Sequence, residues 1–322
     1  MFRHYQLPDS LFPRIQKIFA DHKWEWSARR LADDVLRLSD FYIQNPKAAT
    51  PWDQTWAQKA LLVYYWPLNT LRFQSVYQEL EENQFFSGIE KFYDFGAGPG
   101  TAAAILMKKE KSVTAIESSN IPQRWFPEIK WSEKMSPQNN SCTVLSYSLT
   151  ELSQLPPAAL QSDSLIIIEP ATQTDGRNLL RLREQLLKQN YFAWAPCSHQ
   201  QACPLLTHSK NDWCHDRIHF DAPKWFSEIE QHLPMKNKTL TMSYLAVKKV
   251  APPVRTWARL TSDKLPEKGK TRQLVCRGPD REFLSWMHRD GEPPEFFLGE
   301  KVVLENFEVK SNELRIKSIK RF

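Results

Sequence analysis

Two groups of residues in this 322-residue chain have the types and spacing to do chemistry. The first is Asp94-Phe95-Gly96-Ala97-Gly98-Pro99-Gly100-Thr101, a strand-like stretch that ends in an acid and a glycine loop. Gly96 and Gly98 permit a tight turn and close backbone approach to a ligand. A helix starting near Gly100 and Thr101 would present unpaired N–H groups. Glu117 closes the next apolar stretch, 23 residues after Asp94, where a carboxylate can accept both hydroxyls of a ribose. The second group is thiols. Cys197, Cys203 and Cys214 fall within 18 residues of one another, and Cys276 follows 62 positions later. Four thiolates suit zinc or an iron–sulfur cluster, and this spacing does not choose between them. His199, His208 and His215 are further candidate ligands for a mixed site. Cys142, inside an apolar stretch, reads as a small core residue.

The glycine spacing selects among nucleotide ligands. Dinucleotide folds prefer G-x-G-x-x-G, which cradles a pyrophosphate. Here the run is Gly96-x-Gly98-x-Gly100 with Pro99 between. That compact loop resembles motif I of class I methyltransferases, whose cofactor, S-adenosylmethionine, carries no phosphate. Asp94, Gly96, Ala97, Gly98, Gly100, Thr101, Glu117 and Ser146 are the expected cofactor-binding residues. Ser146-Tyr147-Ser148 occupies the place where such enzymes put a catalytic motif, but it is not the Asn/Asp-Pro-Pro-Tyr that holds an exocyclic amine. Tyr147 could stack on a base or simply pack. No catalytic residue is named. Pro196-Cys197 resembles the Pro-Cys pair of RNA cytosine-5 methyltransferases, yet it follows the sixth expected strand, counting a weak one within 121–140, instead of the fourth.

These residues need a scaffold, and hydrophobic periodicity supplies its outline. Residues 1–86 read as a helical N-terminal region, with a helix through 26–38, a linker marked by Asn45-Pro46 and Thr50-Pro51, and a second helical stretch over 54–84. From residue 87 to 250 strands alternate with helices. The expected strands cover 90–95, 112–117, 141–147, 164–170, 191–195 and 240–247, with helices over 101–111 and 179–188 and an ambiguous stretch over 121–140. The expected fold class is therefore α/β: a class I, Rossmann-like methyltransferase sheet with both faces covered. An irregular Cys-rich insertion is expected over about 196–235. Residues 251–322 read as a small basic β-rich module, with a hairpin over 302–309 and 314–319.

Composition bounds the partners. Hydrophobic residues make up 41% and aromatics 12%, enough for a packed core. No apolar stretch approaches the length of a membrane span, and the first residues lack an apolar signal core, so the chain is expected to be cytoplasmic and free of membrane. The net charge is +6, and all of the excess lies from Lys248 onward, where 17 Lys/Arg face 11 Asp/Glu. A basic module of this kind suits a nucleic-acid partner, or serves solubility alone.

Taken in order and spacing, several motifs carry a resemblance that runs from about Trp66 to Cys276. They are the 94–101 loop, Ser146-Tyr147-Ser148-Leu149-Thr150-Glu151-Leu152, Ile168-Glu169-Pro170, Ala195-Pro196-Cys197-Ser198-His199, Ala202-Cys203-Pro204-Leu205, Asp212-Trp213-Cys214-His215 and Ser243-Tyr244. In these the chain resembles the methyltransferase-like proteins of the mitochondrial small ribosomal subunit and their bacterial relatives. The resemblance implies an iron–sulfur cluster, of the [4Fe-4S] kind, on Cys197, Cys203, Cys214 and Cys276. It also implies association with small-subunit rRNA and the small ribosomal subunit, and a role in ribosome assembly; the chain is expected to be a monomer. It leaves open an enzyme acting on rRNA or a catalytically inactive assembly factor. Ser198 and Asp216 depart from the family's usual Pro and Phe, and Glu169-Pro170-Ala171-Thr172-Gln173 stands where Glu-Pro-Gly-Thr-Pro is usual.

Overall fold

The computed structural model describes residues 3–137, 139–152, 154–234 and 238–322. Residues 1–2, 138 and 235, which belong to the expected N-terminal region, the ambiguous 121–140 stretch and the end of the insertion, lie outside the described set. The chain opens with β1 (His4–Gln6), α1 (Leu11–Asp21), α2 (Ala28–Gln44), α3 (Thr55–Ala60) and α4 (Trp66–Glu82), with one π-helical turn, Leu61–Tyr65, between the last two. It continues with β2 (Lys91–Phe95), α5 (Thr101–Lys108), β3 (Ser112–Ile116), α6 (Ile121–Trp125), β4 (Trp131–Ser132), β5 (Ser141–Ser146), β6 (Ser164–Glu169), α7 (Gln173–Lys188) and β7 (Phe192–Ala195). Then come α8 (Pro204–Thr207), β8 (Asp216–Asp221), α9 (Lys224–Glu230) and β9 (Thr239–Lys248). The last module holds β10 (Ala258–Leu260), β11 (Leu265–Glu267), β12 (Lys270–Cys276), β13 (Glu282–Met287), β14 (Lys301–Lys310) and β15 (Glu313–Arg321).

The large sheet runs β4-β3-β2-β5-β6-β9, and beyond β9 the order divides. β7 pairs with the C-terminal half of β9 and β8 with its N-terminal half, and β1 lies against β8. β4, β3, β2, β5 and β6 are mutually parallel, and β9 is antiparallel to β6, β7 and β8. One reversed strand inserted between the fifth and sixth parallel ones is the class I methyltransferase arrangement expected from the glycine loop. β6 is buried along its whole length, as a central strand covered on both faces must be. The N-terminal helices share one hydrophobic cluster with the sheet; Leu31, Leu38, Leu62 and Phe73 pack in it with Phe92, Val144 and Ile166.

Three local expectations change. The N-terminal region is not wholly helical, because β1 extends the sheet by pairing with β8 more than two hundred residues away. The 196–235 insertion is not irregular throughout, since it contains β8, which alternates buried and half-buried residues, and the helix α9. Charged and aromatic residues in Asp216-Arg217-Ile218-His219-Phe220 hide that alternation from the sequence. α7 begins six residues before the expected 179, capped by the Thr172 hydroxyl, which accepts from the Asp175 N–H at 3.1 Å. Gly176 in its first turn obscures the start.

The C-terminal module is a closed barrel. β10 pairs antiparallel with both β12 and β14, β12 pairs antiparallel with β13, β13 parallel with β15, and β15 antiparallel with β14. Leaving out β11, which hangs on the edge of β12, the connectivity is 1-2-3-5-4-1, that of the five-stranded OB barrel. Leu260, Val275, Leu284, Trp286, Val302 and Leu314 fill it. Among the described residues no helix is long and apolar enough to cross a membrane.

Candidate functional site

The glycine loop follows β2 and lies at the C-terminal edge of the parallel strands, where α/β sheets hold their ligands. All three glycines have left-handed backbone, with φ of +65° at Gly96, +51° at Gly98 and +70° at Gly100. A Cβ on Gly96 would stand 2.5 Å from the Ser148 Cβ, so packing forbids a side chain there, and one on Gly100 would stand 2.6 Å from the Ile129 Cδ1, which would have to move. At Gly98 a Cβ would meet nothing within 4 Å. The middle glycine therefore borders open space on the side where a ligand would lie. The Gly96 and Ala97 N–H groups donate to the Ile116 carbonyl at 2.9 and 3.0 Å, which holds the loop against β3.

Two carboxylates frame this loop differently. Asp94 is buried, and its Oδ2 accepts from the Ala103 N–H at 2.9 Å, so it ties the start of α5 to β2 from behind the loop. Burial, with a smaller contribution from Glu117, pushes its carboxyl up to about 7. Half-buried Glu117 lies across the front. Its Oε2 accepts from the Gly98 N–H at 2.9 Å and its Oε1 from the Ser119 N–H at 3.1 Å. Ser146, half-buried, ends β5 beside them, and Ala97 and Thr101 are buried under the turn.

Next along the same edge is a group that periodicity did not single out as a site. Tyr147 has φ +60°, a costly conformation for a bulky residue, and its hydroxyl is buried without a partner. The Arg72 guanidinium of α4 stands 5.6 Å from the centre of its ring. Glu169, the last residue of β6, is buried; its Oε1 accepts from the Leu149 N–H at 3.0 Å and its Oε2 has no partner. Burial is the main cause that pushes its carboxyl up to about 8. Glu151 is pushed up to about 7, first by burial and then by Glu117. The signals in the sequence were an acid closing an apolar run, the Ile168-Glu169-Pro170 motif and the place of Ser146-Tyr147-Ser148 after a strand.

The four cysteines named from the sequence come together. Cys197 follows β7, Cys203 precedes α8, Cys214 lies before β8 and Cys276 ends β12 of the barrel, and all four line one cavity. His199 lines it as well; His208, His215 and Cys142 are not among its lining residues. Arg183, buried on α7, donates from Nε to the Cys197 Sγ at 3.1 Å and from Nη2 to the His199 carbonyl at 2.9 Å. Arg255 donates to the Cys197 and Trp194 carbonyls. The Cys276 Sγ is 3.4 Å from the His199 Nε2. Burial, then the neighbouring thiols Cys197 and Cys203, pushes Cys276 up to about 12; Cys203 and Cys214 also rise, chiefly by burial. His199 is driven down to about 4 by burial and by Arg183. Among the described residues, no three His, Cys, Asp or Glu side chains stand as a ready-made site for a metal ion. Cys197 shares the thiol cavity, whose lining includes none of the glycine-loop residues, which leaves the cytosine-5 nucleophile reading without geometric support.

The cavity joins two modules that also dock in other ways. Leu274 and Phe283 of the barrel pack with Leu180, Cys203 and Leu205. Arg259 of β10 pairs with Asp216 and, at 3.5 Å, with Glu79 of α4; Arg3 pairs with the same two acids, and Lys301 reaches Glu79 at 3.0 Å. The wall of the cavity is also fixed to the segment after Glu169, because the Trp213 Nε1 donates to the Ala171 carbonyl at 2.9 Å.

Comparison with known proteins gives a family. The sequence model described as mitochondrial small ribosomal subunit Rsm22 matches residues 73–285. No curated protein matches the chain. Among solved structures, magnesium protoporphyrin IX methyltransferase from Synechocystis PCC 6803 with bound S-adenosyl-homocysteine is similar over 67% of this chain and 100% of its own, at 10% identity and a TM-score of 0.34. TrmK of M. capricolum, in complex with the same product, is similar over 55% of this chain and 69% of its own, at 10% identity and a TM-score of 0.31.

Proposed function

The chain belongs to the Rsm22 family of the mitochondrial small ribosomal subunit, and from that premise we propose that it binds S-adenosylmethionine and acts on small-subunit rRNA during ribosome assembly, as a monomer. The observation that carries this reading is the Gly96-to-Thr101 turn, open at Gly98, with Glu117 lying across its front. In the cleft, Glu117 would exchange the Gly98 N–H for ribose hydroxyls, while Asp94 keeps the loop on α5 from behind. The cofactor would supply an activated methyl group. The barrel would meet RNA, since it has OB connectivity and lies in the stretch from Lys248 onward that holds the basic excess.

The four cysteines would hold an iron–sulfur cluster, [4Fe-4S] in kind. The donor set fits: four thiols from separate segments line one cavity, and the cationic Arg183 and Arg259 line it with them. Thiolate-bound clusters carry negative charge that such cations offset. A cluster there would supply a cross-link between sheet and barrel. Zinc is the other group that four thiolates could hold.

A second reading, a binding protein without essential chemistry, is favoured by Ser146-Tyr147-Ser148 in the place of an amine-holding motif. Transfer of labelled methyl from S-adenosylmethionine to purified small-subunit particles and their precursors, with mass mapping of the rRNA, separates the two. A mapped, stoichiometric methyl supports the enzyme. Binding of cofactor and particle with no transfer supports the second reading, and failure to bind the cofactor overturns both.

A further inference from the structure

Glu169 is an acid buried with one oxygen unpartnered. An acid in a dry interior is expected to be paired with a cation or fully hydrogen-bonded. Glu169 pairs with no cation among the described residues, and although Leu149 and Thr150 bond to it, its Oε2 is left free. It ends β6 at the ligand-binding edge, next to the strand that ends in Ser146. Beside it is the Tyr147 hydroxyl, also unpartnered, on a residue held in left-handed backbone. Opposite stands α4, which carries Arg72 and is preceded by the π-helical turn ending in Tyr65. Such turns recur at functional sites. The charged and titratable groups that face Glu169 are Tyr147 from the β5 end and Asp175 from α7, with Arg72 beyond the Tyr147 ring.

Resting on the cofactor reading above, we propose that Glu169 is the proton acceptor of the cleft, its free Oε2 taking the proton shed by a nitrogen of an RNA base as that nitrogen is methylated. The half-buried Tyr147 ring offers a wall on which a planar base can stack. As the nitrogen forms its bond to the methyl carbon, the carbon–sulfur bond breaks and its electron pair stays on sulfur. The nitrogen is left cationic and neutralises by giving one proton to the Glu169 carboxylate. Burial pushes that carboxyl up to about 8, so by itself it is mostly protonated at pH 7. A sulfonium charge brought next to it favours the ionised form, so cofactor binding must expel its proton.

That linkage can be tested without turnover. Calorimetry of the full chain at pH 7, in buffers of different ionisation enthalpy, should show adenosylmethionine releasing about one proton per chain. Its demethylated product, neutral at sulfur, should release less. Glu169→Gln keeps the acceptor for the Leu149 N–H and should bind adenosylmethionine within a few-fold of wild type, with the release smaller by about one proton. Asp94 and Glu151 remain in the variant, so the difference reads Glu169. In the wild type, methyl transfer should rise with pH, and in the variant it should fall at least a hundredfold. A buffer-independent binding enthalpy in the wild type, which needs no variant to fold, overturns the proposal. So does equal release by Glu169→Gln. Both results leave the cofactor reading intact, whereas failure of adenosylmethionine to bind overturns that reading as well.

Discussion

Replacing Glu79 by Gln should loosen the barrel from the sheet. Glu79 is buried on α4 and meets Arg3, Arg259 at 3.5 Å and Lys301 at 3.0 Å. Burial alone would raise its carboxyl, but these three cations hold it at about 2, against 4.5 when free. A carboxyl displaced that far stabilises the fold by about 3 kcal/mol at pH 7. Removing one partner of a buried ion pair costs about 3–5 kcal/mol, the same order, because Arg3 and Arg259 are left with Asp216 and Lys301 loses the acid it meets. The expected fall in Tm is roughly 5–10 °C. The folded value lies below the unfolded one, so the stabilisation is fully present above about pH 4.5 and fades as pH falls toward 2. By pH 3 the gap between wild type and Glu79→Gln should shrink to under about half. Urea unfolding at pH 7 and pH 3 measures both. A gap below about 1 kcal/mol at pH 7, or one that does not narrow by pH 3, refutes the reasoning.

Other outcomes follow from the same geometry. Gly98→Arg should abolish adenosylmethionine binding in calorimetry while leaving the chain folded, since the loop is open there; Gly96→Ala should cost about 2 kcal/mol or more of stability, because left-handed backbone and the contact with Ser148 both oppose it. Anaerobically purified protein should contain about four irons per chain. Cys197→Ser, Cys203→Ser, Cys214→Ser and Cys276→Ser should each lose them, and Cys142→Ser, buried in β5 away from the cavity, should keep them. Cys276→Ser should weaken binding to the small subunit, read by filter binding at two salt concentrations, more than it weakens cofactor binding. The loss should be partial, because Phe283, Leu274 and the Glu79–Arg259 network still dock the barrel.

The sequence by itself determined whatever depends on near neighbours. Glycine spacing placed the turn after β2, and apolar runs placed β5 and β6, because a strand or a tight turn is decided within a few residues. The types and order of the four cysteines marked them as a set. Tertiary structure decided which distant segments meet. It brought Cys276 of the barrel to Cys197, Cys203 and Cys214, paired β1 with β8, and closed β14 onto β10. It also left Glu169 with one oxygen free. Whether a carboxyl is paired or orphaned depends on every group that surrounds it in space. For Glu169 those groups come from α7 and the turn after β5, and no spacing along the chain records that they converge.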